Sequence, residues 1–343
     1  MTHAIDVPLI DLSDWFTGDP IARQRIADEV DVAARGLGFM RLVGHGIPAS
    51  TIDSLTSAMD DFFSQPIEAK LHMVARPEIN RGYSPPRSER LSYSLGLASP
   101  EDLFEAFNVG ASIDDHPGLD LDPVIYATNL WPDVDGFRPG VEEWFEAARS
   151  VARTMTSVFA LALGLDDAFF DSFTDHSIDV LRMNNYQIPD GIELVEGQLG
   201  MGAHSDYGIV TVLWADPVAG LEILPEGRSW CPVQPEEGEL LINLGDLLAR
   251  WTNDRWRSTL HRVVPPRNAA GELIGRRSAA FFHDGNADAI VSTLDPCRFA
   301  DGSSEYDDVT VAEHLAQKLA GSRGLDLNEH AEREASRVVA ADR

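Results

Sequence analysis

The first candidates for chemistry are two histidines and one aspartate. His204 and Asp206 are separated by a single residue, and His261 follows 57 residues after His204. Side chains alternate along a strand, so His204 and Asp206 are expected to share one face of a strand that continues into Ile209–Trp214. Two histidines and one carboxylate can hold Fe(II) while other positions stay open for oxygen chemistry. The spacing therefore predicts a metal site.

Each of these residues also has a structural interpretation. His204 and Asp206 could form a turn or a surface pair, and His261 could be a core histidine bonded to the backbone. His45, in the turn Gly44-His45-Gly46, has no partner at a metal-ligand spacing. A structural role is therefore expected for His45, and surface or packing roles for the remaining histidines.

A candidate carboxylate receptor follows the second histidine. Arg276 and Ser278 alternate along another predicted strand, so they are expected to share a face. A guanidinium can bind both oxygens of a carboxylate at once. The apolar stretch Ala279–Phe282 places this arginine beside a buried strand, and a buried arginine needs an anion. The alternative is a salt bridge to one of the many acids of this chain.

The chain that positions these residues changes character near Ser177. Residues 1–176 are predicted to form a helical wrapper region with some core strands, 177–320 a jelly-roll core, and 321–343 a charged tail that frays. One cooperative unit, mainly β with surrounding helices, is expected. The predicted helices are Ile21–Leu37, Thr51–Phe63, Val141–Leu163 and Val311–Leu319, with a helical turn at 246–250 capped by Asp246. The predicted strands are Val180–Gln187, Ile209–Trp214, Leu221–Leu224, Leu240–Asn243, Leu260–Val264 and Ser278–His283.

Composition narrows the possible partners and location. The 343 residues include 27 Lys and Arg against 56 Asp and Glu, a net charge of −29. Such a surface repels nucleic acid and anionic membranes, so neither is expected as a partner. No signal peptide is apparent, and Val158–Leu165, the longest smooth apolar run, is far shorter than the roughly 20 residues of a membrane span. Cys231 and Cys297 cannot form a disulfide framework, so a cytoplasmic location is expected. The sequence gives no oligomeric state.

The motif order H-x-D, distant His and R-x-S is embedded in further characteristic segments. They include Gly44-His45-Gly46-Ile47, Arg81-Gly82-Tyr83, Gly220-Leu221-Glu222-Ile223-Leu224, Ile242-Asn243-Leu244-Gly245-Asp246 and Ser258-Thr259-Leu260-His261-Arg262-Val263. From about Val7 to Leu319, this combination resembles the isopenicillin N synthase-like family of iron and 2-oxoglutarate-dependent oxygenases. The resemblance implies a double-stranded β-helix, also called a jelly roll, with helices packed around it.

The resemblance also implies roles for particular residues. It makes His204, Asp206 and His261 the catalytic iron ligands. It makes Arg276 and Ser278 the binding site for the distal carboxylate of 2-oxoglutarate, with Asn184 and Tyr186 as additional contacts to the co-substrate. The sequence departs from the family pattern at two places. The proline that usually follows the tyrosine directly is displaced to Pro189, and Gly285 stands where many members have proline.

The implied reaction uses Fe(II), 2-oxoglutarate and O2 to hydroxylate a small-molecule metabolite, with desaturation or ring closure as other outcomes and succinate as co-product. A carboxylate at 206 argues against halogenation. Two alternatives stay open: an iron oxidase that does not use 2-oxoglutarate, and a non-catalytic ligand-binding jelly roll.

Substrate specificity is expected to lie in the Tyr83–Leu97 loop, in Phe104–Asn108 and in the C-terminal helix. There, Arg87, Arg90 and Tyr93 suggest a carboxylated substrate. The alternative is that these three residues are solvated loop residues.

Overall fold

The strands form two main sheets and one small pair. The computed structural model describes residues 5–187, 194–322 and 332–342, so Ile188 and Pro189 lie outside the described residues. The strands are β1 (Leu9–Asp11), β2 (Phe39–Val43), β3 (Gly82–Ser84), β4 (Glu105–Gly110), β5 (Val180–Asn185), β6 (Met201–His204), β7 (Val210–Ala215), β8 (Leu221–Leu224), β9 (Cys231–Pro232), β10 (Leu240–Leu244), β11 (Leu260–Val263), β12 (Arg277–His283), β13 (Ile290–Val291) and β14 (Val309–Thr310). The major sheet has the order β1-β2-β10-β7-β12-β5-β4-β3, the minor sheet β6-β11-β8-β9, and β13 pairs with β14.

Helices cover one face of the major sheet and close the ends of the core. They are α1 (Pro20–Gly36), α2 (Ala49–Phe63), α3 (Ile67–Leu71), α4 (Phe137–Ala162), α5 (Asp171–Thr174), α6 (Asp246–Trp251), α7 (Val311–Ser322) and α8 (Glu332–Ala341). Short 3-10 turns occupy Ser13–Thr17, Leu91–Leu95, Ile113–Asp115 and Asp295–Cys297. The four predicted helices are confirmed, although α4 begins one turn earlier than predicted. No helix in the described ranges has both the length and the hydrophobicity needed to cross a membrane.

Side chains alternate between the two faces of the major sheet, so that one face packs against helices and the other lines a cavity. Leu181 and Met183 on β5, with Phe281 on β12, join the core that α1, α2 and α4 cover. Phe281 meets Phe145 of α4 edge-on, with ring centroids 5.0 Å apart. Residues one position along, such as Arg182 on β5, lie on the opposite face and line a cavity. The major sheet is therefore apolar towards the helices and mixed towards the cavity.

The predicted strands are confirmed, but the shared strand expected for His204 and Asp206 is wrong. β6 ends at His204, Asp206 lies in the following turn, and β7 begins only at Val210. β6 and β7 belong to different sheets. The two side chains therefore approach because the chain turns from one sheet to the other, and strand alternation does not explain their proximity.

The helical turn at 246–250 is confirmed, but Asp246 is not its cap. Gly245 occupies the N-cap position, and Asp246 is the first residue of α6. Its carboxylate accepts a hydrogen bond from Ser205 Oγ at 3.1 Å and pairs with Lys318 of α7 at 2.8 Å. Asp246 thus connects the turn between the sheets with α7.

Both ends of the chain contribute to the core. From the N-terminal region, β2 hydrogen-bonds to β10 and β4 to β5. At the other end, part of the tail that was expected to fray forms α8, where Val338 is buried beside Trp230. Asp342 accepts hydrogen bonds from Trp230 Nε1 at 2.9 Å and from Arg262 at 2.8 Å. These contacts hold the described end of the tail against the minor sheet.

Candidate active site

Three metal-binding side chains converge at one end of the two sheets. His204 and His261 are direct neighbours across the antiparallel pair β6–β11, with ring centroids 4.3 Å apart. Oδ1 of Asp206 lies 3.9 Å from Nε2 of His204 and 3.6 Å from Nε2 of His261. All three residues are buried, and their ligand atoms lie within 4.8 Å of one another. Among the described residues, this is the one such cluster of three or more His, Cys, Asp or Glu side chains.

Backbone carbonyls orient both imidazoles. Nδ1 of His204 lies 2.8 Å from the carbonyl oxygen of Gly202, and Nδ1 of His261 lies 3.2 Å from that of Thr259. A carbonyl only accepts, so each Nδ1 carries the proton and each Nε2 presents a lone pair. Burial first, and then the neighbouring imidazole of His261, lower the pKa of His204, which keeps this ring neutral. The donor set therefore fits a divalent iron ion.

The carboxylate of Asp206 is oriented in the same way. Its Oδ2 accepts hydrogen bonds from Thr211 Oγ1 and, at 2.6 Å, from Asn243 Nδ2. Thr211 and Asn243 face each other across β7 and β10. With Oδ2 occupied, Oδ1 is directed towards the two histidines. The role of Thr211 was not found from the sequence, although its strand had been predicted.

The Thr211→Val variant is expected to bind Fe(II) about 10 to 100 times more weakly, because a partner that orients a metal-binding carboxylate is lost. Anaerobic Fe(II) titration of the purified protein measures this effect. Thr154→Val on α4, outside the cavity, is the matched control and should leave Fe(II) affinity unchanged. Equal Fe(II) affinity of the Thr211→Val and wild-type proteins would show that Thr211 does not orient the ligand.

A cavity of about 480 Å³ opens over the three residues. Its walls come from the cavity face of the major sheet, from the loop around Leu91 and from α7. Ala312, Leu315 and Leu319 are among the contributions of α7, so this helix forms an apolar cover. The size suits a small molecule together with a co-substrate.

Arg276 is a buried cation at the edge of this cavity. It is 2% exposed, its Nε lies 3.3 Å from the carbonyl oxygen of Val218, and its guanidinium lies 5.3 Å from the ring centre of Tyr186. Within the described ranges, no carboxylate forms an ion pair with it. Burial lowers the pKa of Arg276, as expected for a cation that lacks a close counter-ion.

A salt bridge to acids of this chain was the alternative role considered for Arg276. The structure gives that salt bridge to its neighbour, Arg277. Arg277 pairs with Asp216 through Nη2 at 3.0 Å and with Asp60 through Nη1 at 2.8 Å. Arg276 directly precedes β12 and lines the cavity, whereas Arg277 is the first residue of the strand and pairs with both acids. Arg276 is therefore left with space for an external anion, which fits the carboxylate of 2-oxoglutarate.

The other predicted co-substrate contacts surround Arg276. Asn184 and Ser278 are paired across β5 and β12, with Asn184 Nδ2 lying 3.4 Å from Ser278 Oγ. The backbone N–H of Tyr186 donates to the carbonyl oxygen of Arg276 at 2.9 Å. All four residues line the cavity that contains the histidines and Asp206. The structure thus brings the seven predicted site residues into one space.

Other residues singled out in the sequence lie away from this cavity. Arg87 is exposed, and Arg90 pairs with Glu101 and stacks on the Tyr93 ring at 5.4 Å. The side chains of Arg87, Arg90 and Tyr93 do not line the cavity. His45 accepts a hydrogen bond from the Ile47 N–H at 3.1 Å, which fits its expected structural role.

The backbone conformation at position 285 explains why this chain has glycine where many family members have proline. Its φ is +90°, a conformation that proline cannot adopt because its ring fixes φ near −65°. The N–H of Gly285 also donates to Ser177 Oγ at 2.8 Å, and proline has no N–H to make this bond. The loop after β12 therefore excludes proline and favours glycine here.

Several cavity residues were missed in the sequence. Arg182 and Glu89 line the cavity as an ion pair, and Asn108 and Asp284 line it as well. Arg182 could have been found, because it alternates with Asn184 and Tyr186 along β5. Glu89 and Asn108 lie in the Tyr83–Leu97 and Phe104–Asn108 segments that were predicted to determine specificity, whereas Asp284 had no such signal. Burial, followed by the carboxylates of Asp179 and Asp206, raises the pKa of Asp284 well above its ordinary value.

Asp102 is a further buried carboxylate and connects the loop to β6. It accepts hydrogen bonds from the N–H groups of Leu91 at 2.9 Å and Gly202 at 2.9 Å. Gly202 in turn holds His204 through its carbonyl oxygen. A side chain at 202 would meet Ser92 Oγ at 2.6 Å, so the loop packs closely on this strand. Burial raises the pKa of Asp102 to about 7.

The Asp102→Asn variant is expected to lose a contribution that lowers the free energy of unfolding as pH rises from about 4 to about 7. The folded protein keeps the Asp102 proton up to about pH 7, whereas the unfolded chain releases it near the ordinary value of 3.8. Stability conferred by this group therefore falls as pH rises between those values, by up to about 1.4 kcal/mol per pH unit. Urea denaturation at several pH values measures the slope. Asp53→Asn on the exposed side of α2 is the control, and equal slopes for wild type and Asp102→Asn would contradict the assignment.

Comparison with known proteins identifies the family. A family profile described as the 2OG-Fe(II) oxygenase superfamily matches residues 178–285. A second, described as the N-terminal region of non-haem dioxygenases in morphine synthesis, matches residues 7–134. The 2-oxoglutarate-Fe(II) type oxidoreductase hxnY of Emericella nidulans is 32% identical over 92% of this chain and 90% of its own length. The validamycin A dioxygenase of Streptomyces hygroscopicus subsp. limoneus is 34% identical over 84% of this chain and 79% of its own length.

Solved structures agree with this family. A full-length Neurospora crassa protein, crystallised in complex with alpha-KG, superimposes with a TM-score of 0.81 at 28% identity, covering 93% of this chain and 99% of that chain. The same protein with alpha-KG and thymine gives a TM-score of 0.80. These matches confirm the jelly-roll core with surrounding helices and the use of Fe(II), 2-oxoglutarate and O2. The chain belongs to the 2OG-Fe(II) oxygenase superfamily and is an Fe(II)- and 2-oxoglutarate-dependent dioxygenase.

Proposed function

We propose that the cavity oxidises a small molecule, with hydroxylation as the outcome, and that His204, Asp206 and His261 bind the Fe(II). The free Nε2 atoms and Asp206 Oδ1 supply the three protein ligands. Desaturation or ring closure would use the same residues.

In this proposal, Arg276 and Ser278 bind the distal carboxylate of 2-oxoglutarate. The observation that carries it is the buried Arg276 guanidinium, which lines the same cavity as the metal-binding residues and has no carboxylate partner among the described residues. Tyr186 stacks beside the guanidinium, and Asn184 fixes the Ser278 hydroxyl through its 3.4 Å contact. A bidentate contact in a buried site gives both affinity and orientation.

Fe(II) held by His204, Asp206 and His261 would supply, with 2-oxoglutarate and O2, the oxidising power to hydroxylate the substrate, with succinate and CO2 as co-products. The residues of this chain prepare that step. Thr211 and Asn243 keep Asp206 oriented, and the carbonyl oxygens of Gly202 and Thr259 keep the imidazoles oriented. Leu315 and Leu319 on α7 exclude water from the substrate side of the cavity.

The deciding experiment is an anaerobic titration of the purified protein with Fe(II) and then 2-oxoglutarate, followed by visible absorption. A charge-transfer band that requires both additions, and that weakens in Arg276→Gln, supports the proposed sites. Iron binding without a band would contradict the assignment of Arg276 and Ser278 as the 2-oxoglutarate site and would leave this arginine to a carboxylate of the substrate.

The Arg87→Ala and Arg90→Ala variants are expected to leave substrate affinity unchanged, because neither side chain lines the cavity. Steady-state KM values for the substrate, once a screen supplies one, measure this. These arginines therefore give little support to the carboxylated substrate suggested by the sequence. A large rise in KM in either variant would restore that hypothesis and would mean that the loop folds over the substrate.

A cytoplasmic location is part of the proposal. Both cysteines are free and buried, so nothing in the described residues depends on an oxidising compartment. Cell fractionation of the native organism tests the location, and recovery in a secreted fraction would refute it.

A further inference from the structure

Four polar residues of the cavity lining form a connected group that is separate from Asp284 and from the residues proposed to bind iron and 2-oxoglutarate. We call it the recognition patch, and it consists of Asn80, Glu89, Asn108 and Arg182. Apolar side chains surround it, including Ile178, Val180, Phe282 and Leu315. Polar groups placed so sparsely in an apolar cavity fix the orientation of a ligand and determine which ligand is accepted.

The charge of the recognition patch is balanced before any ligand enters. Arg182 Nη2 pairs with Glu89 Oε1 at 2.8 Å, and the two side chains are only 14% and 13% exposed. Arg182 Nε also donates to Asn184 Oδ1 at 3.1 Å, and the guanidinium stacks on Phe104 at 4.9 Å. These contacts fix the guanidinium, while its other N–H groups extend the donor surface of the patch.

An acceptor without a partner lies beside this ion pair. Asn108 faces Arg182 directly across β4 and β5 and is 3% exposed. Its Nδ2 donates to Asn80 Oδ1 at 2.7 Å, whereas its Oδ1 has no hydrogen-bond partner within the described ranges. This acceptor is enclosed as well as unpartnered, so the groups of the patch that a ligand can contact directly are Arg182 and Glu89.

The other cations of the cavity have different partners. In the proposed function, Arg276 binds the 2-oxoglutarate carboxylate. Arg81 is tied to backbone carbonyl oxygens, including those of Ala111 at 2.7 Å and Ala127 at 3.2 Å. An anionic substrate would therefore have to compete with Glu89 for Arg182, and burying its extra charge would be unfavourable.

We propose that the substrate carries an uncharged amide as its recognition group, read by Arg182 as donor and by Glu89 as acceptor. This inference rests on the proposed function, because it takes the Arg276 side of the cavity to be filled by 2-oxoglutarate. An amide presents an N–H and a C=O side by side, which matches the acceptors and donors of the patch. The apolar wall then contacts the body of the molecule.

The test compares two probes of nearly identical shape, nicotinamide and nicotinate, on the anaerobic complex with Fe(II) and 2-oxoglutarate at neutral pH. Each probe is titrated while the charge-transfer band is followed. Nicotinamide is expected to perturb the band with a dissociation constant at least about tenfold below that of nicotinate, equivalent to about 1.4 kcal/mol. Equal or tighter binding of nicotinate, or no response to nicotinamide, would overturn the inference.

The second test uses a variant that removes one negative charge and is expected to bind nicotinate more tightly. Glu89→Gln removes the carboxylate that neutralises Arg182, so nicotinate is expected to bind about tenfold more tightly than it does to the wild-type complex. Glu101→Gln is the matched control, because it removes the carboxylate partner of Arg90 outside the cavity. It should leave both probes unaffected. Unchanged nicotinate binding by Glu89→Gln would show that Arg182 does not face the ligand.

The charge-transfer band separates failure of this inference from failure of the proposed function. A wild-type protein that gives no band with Fe(II) and 2-oxoglutarate refutes the proposed function. A normal band combined with the opposite probe preference refutes only the amide inference. The band also shows that the Glu89→Gln variant is folded at its active site.

Discussion

The Asp206→Ala variant is expected to lose all iron-dependent turnover. Only the two imidazoles would remain to hold Fe(II), and Thr211 and Asn243 would be left with unpaired hydrogen-bond donors in a buried site. The loss of Fe(II) affinity should be larger than the roughly 10 to 100-fold loss that follows when a residue hydrogen-bonded to a metal ligand is removed. Two measurements check it: Fe(II) binding by anaerobic titration, and 2-oxoglutarate consumption with the purified variant.

The control for Asp206→Ala is the same substitution at an exposed carboxylate. Asp53 on α2 is exposed and remote from the cavity, so Asp53→Ala should keep full Fe(II) binding and full turnover. Normal turnover by the Asp206→Ala variant would remove Asp206 from the proposed ligand set. Loss of Fe(II) binding by Asp53→Ala would show that the assay reports general damage to the fold.

The second large effect is expected at Arg276. Arg276→Gln should raise the KM for 2-oxoglutarate by about 30-fold or more, since truncating one partner of a buried charge pair costs about 2 kcal/mol or more. Arg276→Lys keeps the charge but cannot bind both carboxylate oxygens, so an intermediate rise is expected. Steady-state turnover at varied 2-oxoglutarate concentration measures both variants. Fe(II) affinity should stay at the wild-type value, because the three metal-binding residues are intact.

Arg277 offers a matched control one residue away. Its guanidinium is already held by Asp216 and Asp60, so Arg277→Lys should leave the KM for 2-oxoglutarate unchanged. A 2-oxoglutarate KM that is equally insensitive to Arg276 and Arg277 would move the carboxylate site elsewhere in the cavity. A shift in Fe(II) affinity with Arg276→Gln would mean that Arg276 also supports the metal site.

Much of the fold followed from local patterns in the chain. The helical spacing of apolar residues located α1, α2 and α4, and short β-branched segments located β5, β7, β8, β10, β11 and β12. These elements bury one side of a regular repeat, so local sequence reports them. By contrast, β6 is only four residues long and contains glycine, and its pairing with β11 joins positions far apart in the chain. Local patterns carry no information about such pairing.

The active site divides in the same way. Residue type and spacing selected His204, Asp206, His261, Arg276 and Ser278, because few residue types bind iron or a carboxylate. The proximity of His204 and Asp206 was predicted, but the shared strand given as its reason was wrong, since their proximity depends on a turn between two sheets. Sequence alone also could not decide whether Arg276 or Arg277 had a salt bridge, because Asp60 and Asp216 are distant in the chain.

The sequence by itself therefore determined which groups could do chemistry, and the tertiary structure decided which of them act together. Arg87 and Arg90 looked available as isolated residues, yet they lie outside the cavity. Arg182 attracted no attention, yet it meets Glu89 from 93 positions away and shares the cavity with the metal-binding residues. Hydrogen bonds and ion pairs act over a few ångströms of space, and only the folded chain converts distance along the sequence into distance in space.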